Sequence, residues 1–308
     1  MRQTCLNMVY ELAKQDPRVV FVGSDLGSGT LKQFKAEMPE RYYMEGVSEQ
    51  NIIGIAAGLA MEGKVVYFNT IATFITRRCF EQVVIDLCLH NVPVRLIGSG
   101  GGMVYAPLGP THLAIEDIAI FRALPNMTIV APADANEMRR LMPPTVDYPG
   151  PMYIRLGKGG DPIVTPDDQQ FVIGKAYVVR EGKDAVIVTT GITLKASLDA
   201  ATALAQQGIH AAVLHVPTLK PLDAGTILSC AARMPVVVTI EEHTLPGGLG
   251  SAVAELIAEA NFPTAKRFQR IGIPDVFPDQ YGSQASLMNR YAITADNLVA
   301  TVSKLTRK

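Results

Sequence analysis

Short runs of aliphatic and β-branched residues recur along the chain, separated by longer stretches of helical length. Val19 to Val22, Val65 to Phe68, Val94 to Ile97, Met127 to Val130 and Met152 to Ile154 read as strands buried on both faces. Helix-length segments lie around them at about 4–15, 49–61, 74–90, 113–123 and 134–142. Strands spaced by helices predict a parallel sheet covered on both sides. Residues 157–170 break the pattern with Gly157, Gly159, Gly160, Pro162, Pro166 and three aspartates, the composition of a linker. The alternation then restarts, with strands at 185–190, 211–216 and 235–240 and helices at about 194–207, 222–233, 249–260, 284–290 and 294–305. The expected fold class is α/β, with two open, mostly parallel sheets each flanked by helices. The expected domains are residues 1–160 and 181–308, joined by a linker over 161–180.

A chain of 308 residues is long enough for a core in each domain. Its 48% apolar and 19% charged residues are those of an ordinary globular protein. Lys and Arg total 28 against 29 Asp and Glu, which argues against nucleic-acid or membrane binding through bulk charge. No apolar run approaches the ~18 residues of a membrane helix, and the N-terminus lacks a secretory pattern. The four cysteines form no CxxC pair and read as reduced, buried thiols of a cytoplasmic protein. The five histidines include no HExxH spacing.

Ligands of open α/β sheets bind beyond the carboxyl ends of the strands, which directs attention to Asp25, Ile71 to Phe74, Gly98 to His112 and Lys158. Neither GxGxxG, the Walker pattern nor GxSxG occurs. The glycines at 98, 100, 101 and 102 fit either a loop with positive φ or close approach of backbone to a ligand. The most informative stretch is Glu45-Gly46-Val47-Ser48-Glu49 leading into Gln50 to Ala60. A carboxylate opening a helix is stabilised by the helix dipole, and the small residues over 54–60 allow another backbone to come close.

With its context, this stretch resembles the pyrimidine-binding half of thiamine-diphosphate enzymes, specifically the C-terminal half of the transketolase family. GVSEQNIIGIAAGLA is similar to the cofactor-glutamate helix of that family, and Thr73-Phe74-Ile75-Thr76-Arg77 to its aromatic-bearing segment. Gly109-Pro110-Thr111-His112 is similar to its active-site loop. Arg122 to Met127, Pro132 to Glu137, Lys220-Pro221-Leu222-Asp223, and Glu241-Glu242-His243 with Gly247 to Gly250 follow in the family order. The resemblance implies thiamine diphosphate as cofactor, with Asp25, Glu49, Ile71 and Phe74 as its contacts. Glu49 would share a proton with the aminopyrimidine, an apolar enclosure raising its pKa, and Phe74 would stack on the ring. His112 would stand beside the reacting carbon of the substrate, so that Glu49 and His112 are the catalytic pair.

The resemblance also marks Arg2, Gly100, Leu108, His112 and Lys158 as substrate-binding positions. Arg2 and Lys158 fall where transketolases carry phosphate-holding arginines. Gly100 replaces a phosphate-holding histidine and Leu108 an aspartate that reads sugar hydroxyls. Those departures point to a variant ketose, with sugar phosphates as the substrate class. Thr111 is expected to cap a helix starting near Leu113. Arg155 fits a structural ion pair as well as a substrate contact, and the turn at Gly247 to Gly250 is expected to open a helix.

The Gly-Asp-Gly run that holds a divalent metal on the cofactor diphosphate is missing, because Gly160-Asp161 is followed by Pro162. No metal ligands are therefore assigned here. The resemblance implies a split enzyme of carbohydrate metabolism: an N-terminal, diphosphate-binding subunit would hold Mg2+ or Ca2+ in an α2β2 heterotetramer. Met1 to Val9 and the helices at 49–61 and 74–90 would face it. The reaction implied is transfer of a two-carbon ketol unit from a ketose phosphate to an aldose. The alternative is the β subunit of a 2-oxoacid dehydrogenase or a deoxyxylulose-phosphate-synthase-like enzyme.

Overall fold

A computed structural model describes residues 1–23, 29, 31–44 and 46–307 of the protein. The described strands are β1 (Val19–Gly23), β2 (Tyr42–Met44), β3 (Val65–Ile71), β4 (Val94–Ser99), β5 (Thr128–Val130), β6 (Met152–Leu156), β7 (Tyr177–Arg180), β8 (Ala185–Thr189), β9 (Ala211–His215), β10 (Thr218–Lys220), β11 (Val236–Thr244) and β12 (Arg267–Ile273). They form a seven-stranded sheet in the order β10-β5-β6-β4-β3-β1-β2 and a five-stranded sheet in the order β12-β11-β8-β9-β7. All neighbours are parallel except β10 on β5 and β7 on β9. The expected α/β class with two mostly parallel sheets is what the chain adopts.

The apolar runs explain why the central strands sit where they do. Along β3, Val66 and Phe68 enter one core cluster while Val65 and Tyr67 enter another on the opposite face, the period of two expected of a strand covered twice. Val94 and Leu96 of β4 share the first cluster, and Ile97 joins the second. All four cysteines are buried. No helix among the described residues is long and apolar enough to cross a membrane.

Four strands are absent from the sequence reading, and each has a physical reason. β7 lies inside the span read as linker, and β10, from the second half of the chain, adds an antiparallel edge to the first sheet. β2 and β10 have three residues each, too few to show a period. β12 begins with Arg267-Phe268-Gln269-Arg270, a half-exposed edge whose charges mask the strand. The helix expected at 113–123 is confined to Asp117–Arg122, because Ala114 instead exchanges backbone hydrogen bonds with Gly102 at 2.9 and 3.0 Å.

A buried polar cluster joins the two sheets. Arg155, at the end of β6, donates to Asp117 Oδ2 through Nε (2.7 Å) and to the backbone oxygens of Ala114 (3.2 Å) and Glu242 (2.9 Å). Tyr153 donates its hydroxyl to the same Asp117 oxygen at 2.7 Å. Burial opposes the charge on Arg155, but Asp117 outweighs it and pushes the guanidinium pKa up. His243 accepts from the Ala119 N–H at Nε2 (3.3 Å), so its proton sits on Nδ1 and is donated to Thr244 O (2.7 Å). Glu241 receives the N–H groups of Leu249 and Gly250 at 2.7 Å each, opening the Leu249–Glu259 helix as expected of that turn. Lys220 donates to Arg122 O (2.9 Å) and Leu124 O just beyond the Asp117–Arg122 helix, where a cation is favoured.

Glu242 Oε1 accepts from Met103 N (2.8 Å) and Gln284 Nε2 (2.9 Å). Burial pushes its carboxyl up to about 7, against the pull of Arg155. The folded chain therefore binds this proton more tightly than the unfolded chain, and stability falls as pH rises from the ordinary glutamate range through about 7. Glu242→Gln is expected to match wild type near pH 4.5 and to exceed it at pH 8 by roughly 1–3 kcal/mol. Urea unfolding at the two pH values checks this; equal gains at both would show that the carboxyl does not titrate in this range.

Candidate active site

Glu49 is the first residue of the Glu49–Met61 helix, and its side chain is only 2% exposed. Both of its oxygens are held by one guanidinium nitrogen of Arg78, at 3.0 and 2.9 Å. The apolar enclosure expected around Glu49 is thus broken by a cation. Arg78 reaches it because Phe74–Arg78 is a wide π turn, a geometry frequent at functional sites. The guanidinium carbon lies 3.7 Å from the centre of the Phe74 ring, a cation–π contact. The other neighbour of Phe74 is His112, with ring centroids 5.3 Å apart at 61°. Ile71 ends β3 three residues before Phe74 and is half-buried.

One sequence-predicted group is thereby brought together: Glu49 and Phe74 meet at Arg78, and His112 adjoins Phe74. Asp25 and Glu45 lie outside the described residues. The His112 loop is clamped from behind by Arg77. Its Nε pairs with Glu116 at 3.0 Å, and its terminal nitrogen donates to Thr111 O (3.3 Å) and Leu113 O (3.5 Å). Burial raises the Glu116 pKa and Arg77 lowers it. Thr111 does not cap a helix at Leu113, because that segment is extended toward Gly102; its hydroxyl instead meets His112 Nδ1 at 2.9 Å.

A second group gathers elsewhere on the same loop. Arg2, Gly100, Leu108 and Lys158 line one pocket of about 220 Å³, together with Tyr105. His112 is not in its lining but follows Leu108 by four residues. Arg155 is not part of this pocket; it belongs to the buried ion pair with Asp117. The glycines at 101 and 102 admit neighbouring side chains, since a Cβ there would overlap Arg155 and Glu242 respectively.

Sequence reasoning passed over Arg78, and it reached Arg77 and Tyr105 only as members of the aromatic-bearing segment and the substrate loop, with no role of their own. The available signal for the arginines was a pair of cations beside Phe74, on a helix otherwise packed by apolar residues. No group of three or more His, Cys, Asp or Glu among the described residues has metal-site geometry.

Chemically, a buried carboxylate and an aromatic face hold a flat cation between them. Arg78 stands in for such a cation: it is planar, presents N–H to the carboxylate and lies over the ring. The same space fits a protonatable heteroaromatic ring such as an aminopyrimidine. The local pair is directly testable. Arg78→Ala is expected to cost about 1–2 kcal/mol by leaving Glu49 buried without its partner. That cost should largely vanish in a Glu49→Gln background. A double-mutant cycle in denaturant measures the coupling; a value near zero would mean the contact contributes nothing.

Comparison with known proteins follows this geometry. The family model for the transketolase pyrimidine-binding domain matches residues 1–160, and that for the transketolase C-terminal domain matches residues 174–298. The 6-deoxy-6-sulfo-D-fructose transketolase subunit SqwH of Clostridium sp. (strain MSTE9) is 36% identical over 100% of this chain and 95% of its own. An apulose-4-phosphate transketolase subunit of Phocaeicola vulgatus is 36% identical over 100% of this chain and 97% of its own. A solved structure described as a split gene transketolase, inactive beta4 tetramer, superposes with a TM-score of 0.90. It is 37% identical, covering 99% of this chain and 98% of that one.

Proposed function

Because the chain belongs to the transketolase family, we propose that it is the C-terminal subunit of a split, thiamine-diphosphate-dependent transketolase. The observation that carries this reading is the flat cation of Arg78 held between Glu49 and Phe74, with the Phe74 ring itself 5.3 Å from that of His112. Bound thiamine diphosphate supplies a carbon nucleophile that breaks and remakes the bond beside a ketose carbonyl, so that a two-carbon ketol unit passes to an aldose. Glu49 would share a proton with the pyrimidine nitrogen, and Phe74 and Ile71 would hold its ring. For both to reach the cofactor, the Arg78 guanidinium would leave the space between Glu49 and Phe74. His112 donates a hydrogen bond to, or moves a proton at, the oxygen on the reacting carbon of the substrate. Arg2 and Lys158 hold the anionic tail of a sugar phosphate in the pocket bounded by Gly100 and Leu108. Asp25 is proposed as a further cofactor contact.

A partner subunit supplies the diphosphate site and its Mg2+ or Ca2+, in an α2β2 assembly. What supports a partner is the outer face of the Glu49–Met61 helix. Gly58 has open space where a Cβ would project, and Ile55 and Met61 are exposed beside it. Ile85 and Leu89 of the neighbouring helical segment add exposed apolar surface. Four buried cysteines with no CxxC pair support a cytoplasmic location.

The test mixes the chain with a candidate partner carrying the missing Gly-Asp-Gly motif and follows ketol transfer. The expected result is activity in the mixture and none in this chain alone. Glu49→Gln is expected to lower kcat by about 100-fold or more, and His112→Ala by about 10- to 1,000-fold. Full activity of Glu49→Gln would remove the proposed chemistry. Decarboxylation of pyruvate without ketol transfer would favour the 2-oxoacid or deoxyxylulose-phosphate-synthase-like alternative.

A further inference from the structure

The pocket beside Arg2 contains a side chain to which the reading above gives no role. Arg2 is half-buried in the first turn of the Arg2–Gln15 helix, and Lys158 is exposed just beyond β6. They face a volume of about 220 Å³, and no carboxylate lines it among the described residues. Two cations without a carboxylate make an anion site. Between them the wall is bare backbone. Gly100 has φ +77, and a Cβ there would fall inside the Tyr105 ring. The ring therefore lies on the α-carbon of Gly100 and fills the space that a side chain at 100 would occupy. Only glycine suits this spot on both counts, backbone conformation and room.

Tyr105 is held in place. Its carbonyl accepts from Leu108 N at 2.8 Å, and Ala106 N donates to Met103 O at 3.0 Å. Met103 N in turn is fixed on Glu242 at 2.8 Å. Tyr105 lines the pocket beside Arg2, and burial raises the pKa of its hydroxyl, so the phenol keeps its proton. The loop thus offers the pocket a neutral donor on a rigid backbone.

We propose that Tyr105 determines substrate specificity by donating its hydroxyl, with Arg2 and Lys158, to a terminal tetrahedral oxyanion of the substrate, while its ring on Gly100 sets the pocket depth. The proposal rests on the reading of this pocket as the site of the anionic tail. The oxyanion is a phosphate or a sulfonate, and the experiment separates them.

Inorganic phosphate and methanesulfonate are titrated calorimetrically into the full chain at low salt, in wild type and in Tyr105→Phe, Arg2→Ala and Gly100→Ala variants. Thermal unfolding confirms that each variant is folded. Tyr105→Phe, which removes only the hydroxyl, is expected to weaken the preferred anion about 5- to 10-fold. Arg2→Ala should weaken it further, and Gly100→Ala should match Tyr105→Phe or exceed it by displacing the ring. Preference for one anion by more than about threefold identifies the tail. Unchanged binding by Tyr105→Phe alongside loss in Arg2→Ala overturns the role of Tyr105 and leaves the pocket standing. No binding of either anion by wild type overturns the pocket reading itself, and the Tyr105 proposal with it.

Discussion

The arrangement of this protein depends on the buried ion pair between Asp117 and Arg155. Neither residue touches either candidate pocket, yet the loop that carries Tyr105, Leu108 and His112 hangs from it. Arg155 holds Ala114 O, and Ala114 holds Gly102 through two backbone hydrogen bonds. Gly101 lies on the Arg155 stem, and Gly102 on the Glu242 carboxyl. Glu242 fixes Met103 N and is itself positioned by strand β11 of the other sheet. The hydrogen bonds inside the loop are those of two short 3-10 turns, which shape it locally but do not place it against the sheets. A fully buried ion pair contributes little net stability, because desolvation offsets the attraction. What it contributes here is a unique geometry: five donors in a fixed plane can be satisfied in only one arrangement of three chain segments.

The buried acids differ in how permanently they are engaged. Asp134 accepts from Glu137 N, Val164 N and Thr165 N at 2.7–2.9 Å, which holds its pKa below the ordinary range despite burial. Glu137 is fixed by Ala133 N (2.6 Å) and His215 (2.9 Å), and Glu241 by a helix N-terminus. All these partners are backbone or fully buried groups. Glu49 is the exception. Its partner is an arginine whose side chain is 43% exposed, on a π turn. An exposed guanidinium regains water when it leaves, so this pair is broken at far lower cost than the others. The buried carboxylate proposed to face the cofactor thus has a partner that is replaceable.

Much of this was legible in the sequence, and for reasons that can be stated. The central strands were readable because burial on both faces requires uninterrupted apolar runs, as in Val65 to Phe68. Glu49, Phe74 and His112 were found through motif order, and their meeting in space follows from the rule that strand ends gather ligand-binding loops. The grouping of Arg2 with Lys158 came from the same source. Edge strands escaped because three or four half-exposed residues carry no period. Arg78 escaped because a helical reading with 3.6 residues per turn does not foresee a π turn, and that turn is what lays its guanidinium over the ring. Tyr105 escaped because its significance lies in the missing side chain of Gly100, five residues away, and only the fold shows one filling the space of the other.

The two halves of the candidate site rest on different supports. The Glu49 and Phe74 half stands on a helix and a strand end packed into the main core, where Ile53, Ala56 and Ile75 are buried. A change there disturbs the packing of the first sheet. Arg2 stands on the Arg2–Gln15 helix, and Tyr105 on a loop whose backbone is pinned at Gly101, Gly102, Met103 and Ala114. Within that loop Val104 and Ala106 are buried and the Tyr105 ring lies against Gly100, whereas Pro107 and Leu108 are exposed at the pocket. On the proposed reading, those two exposed positions are where the recognised tail can change without disturbing the core, and the departure that the family resemblance marks at Leu108 falls on one of them.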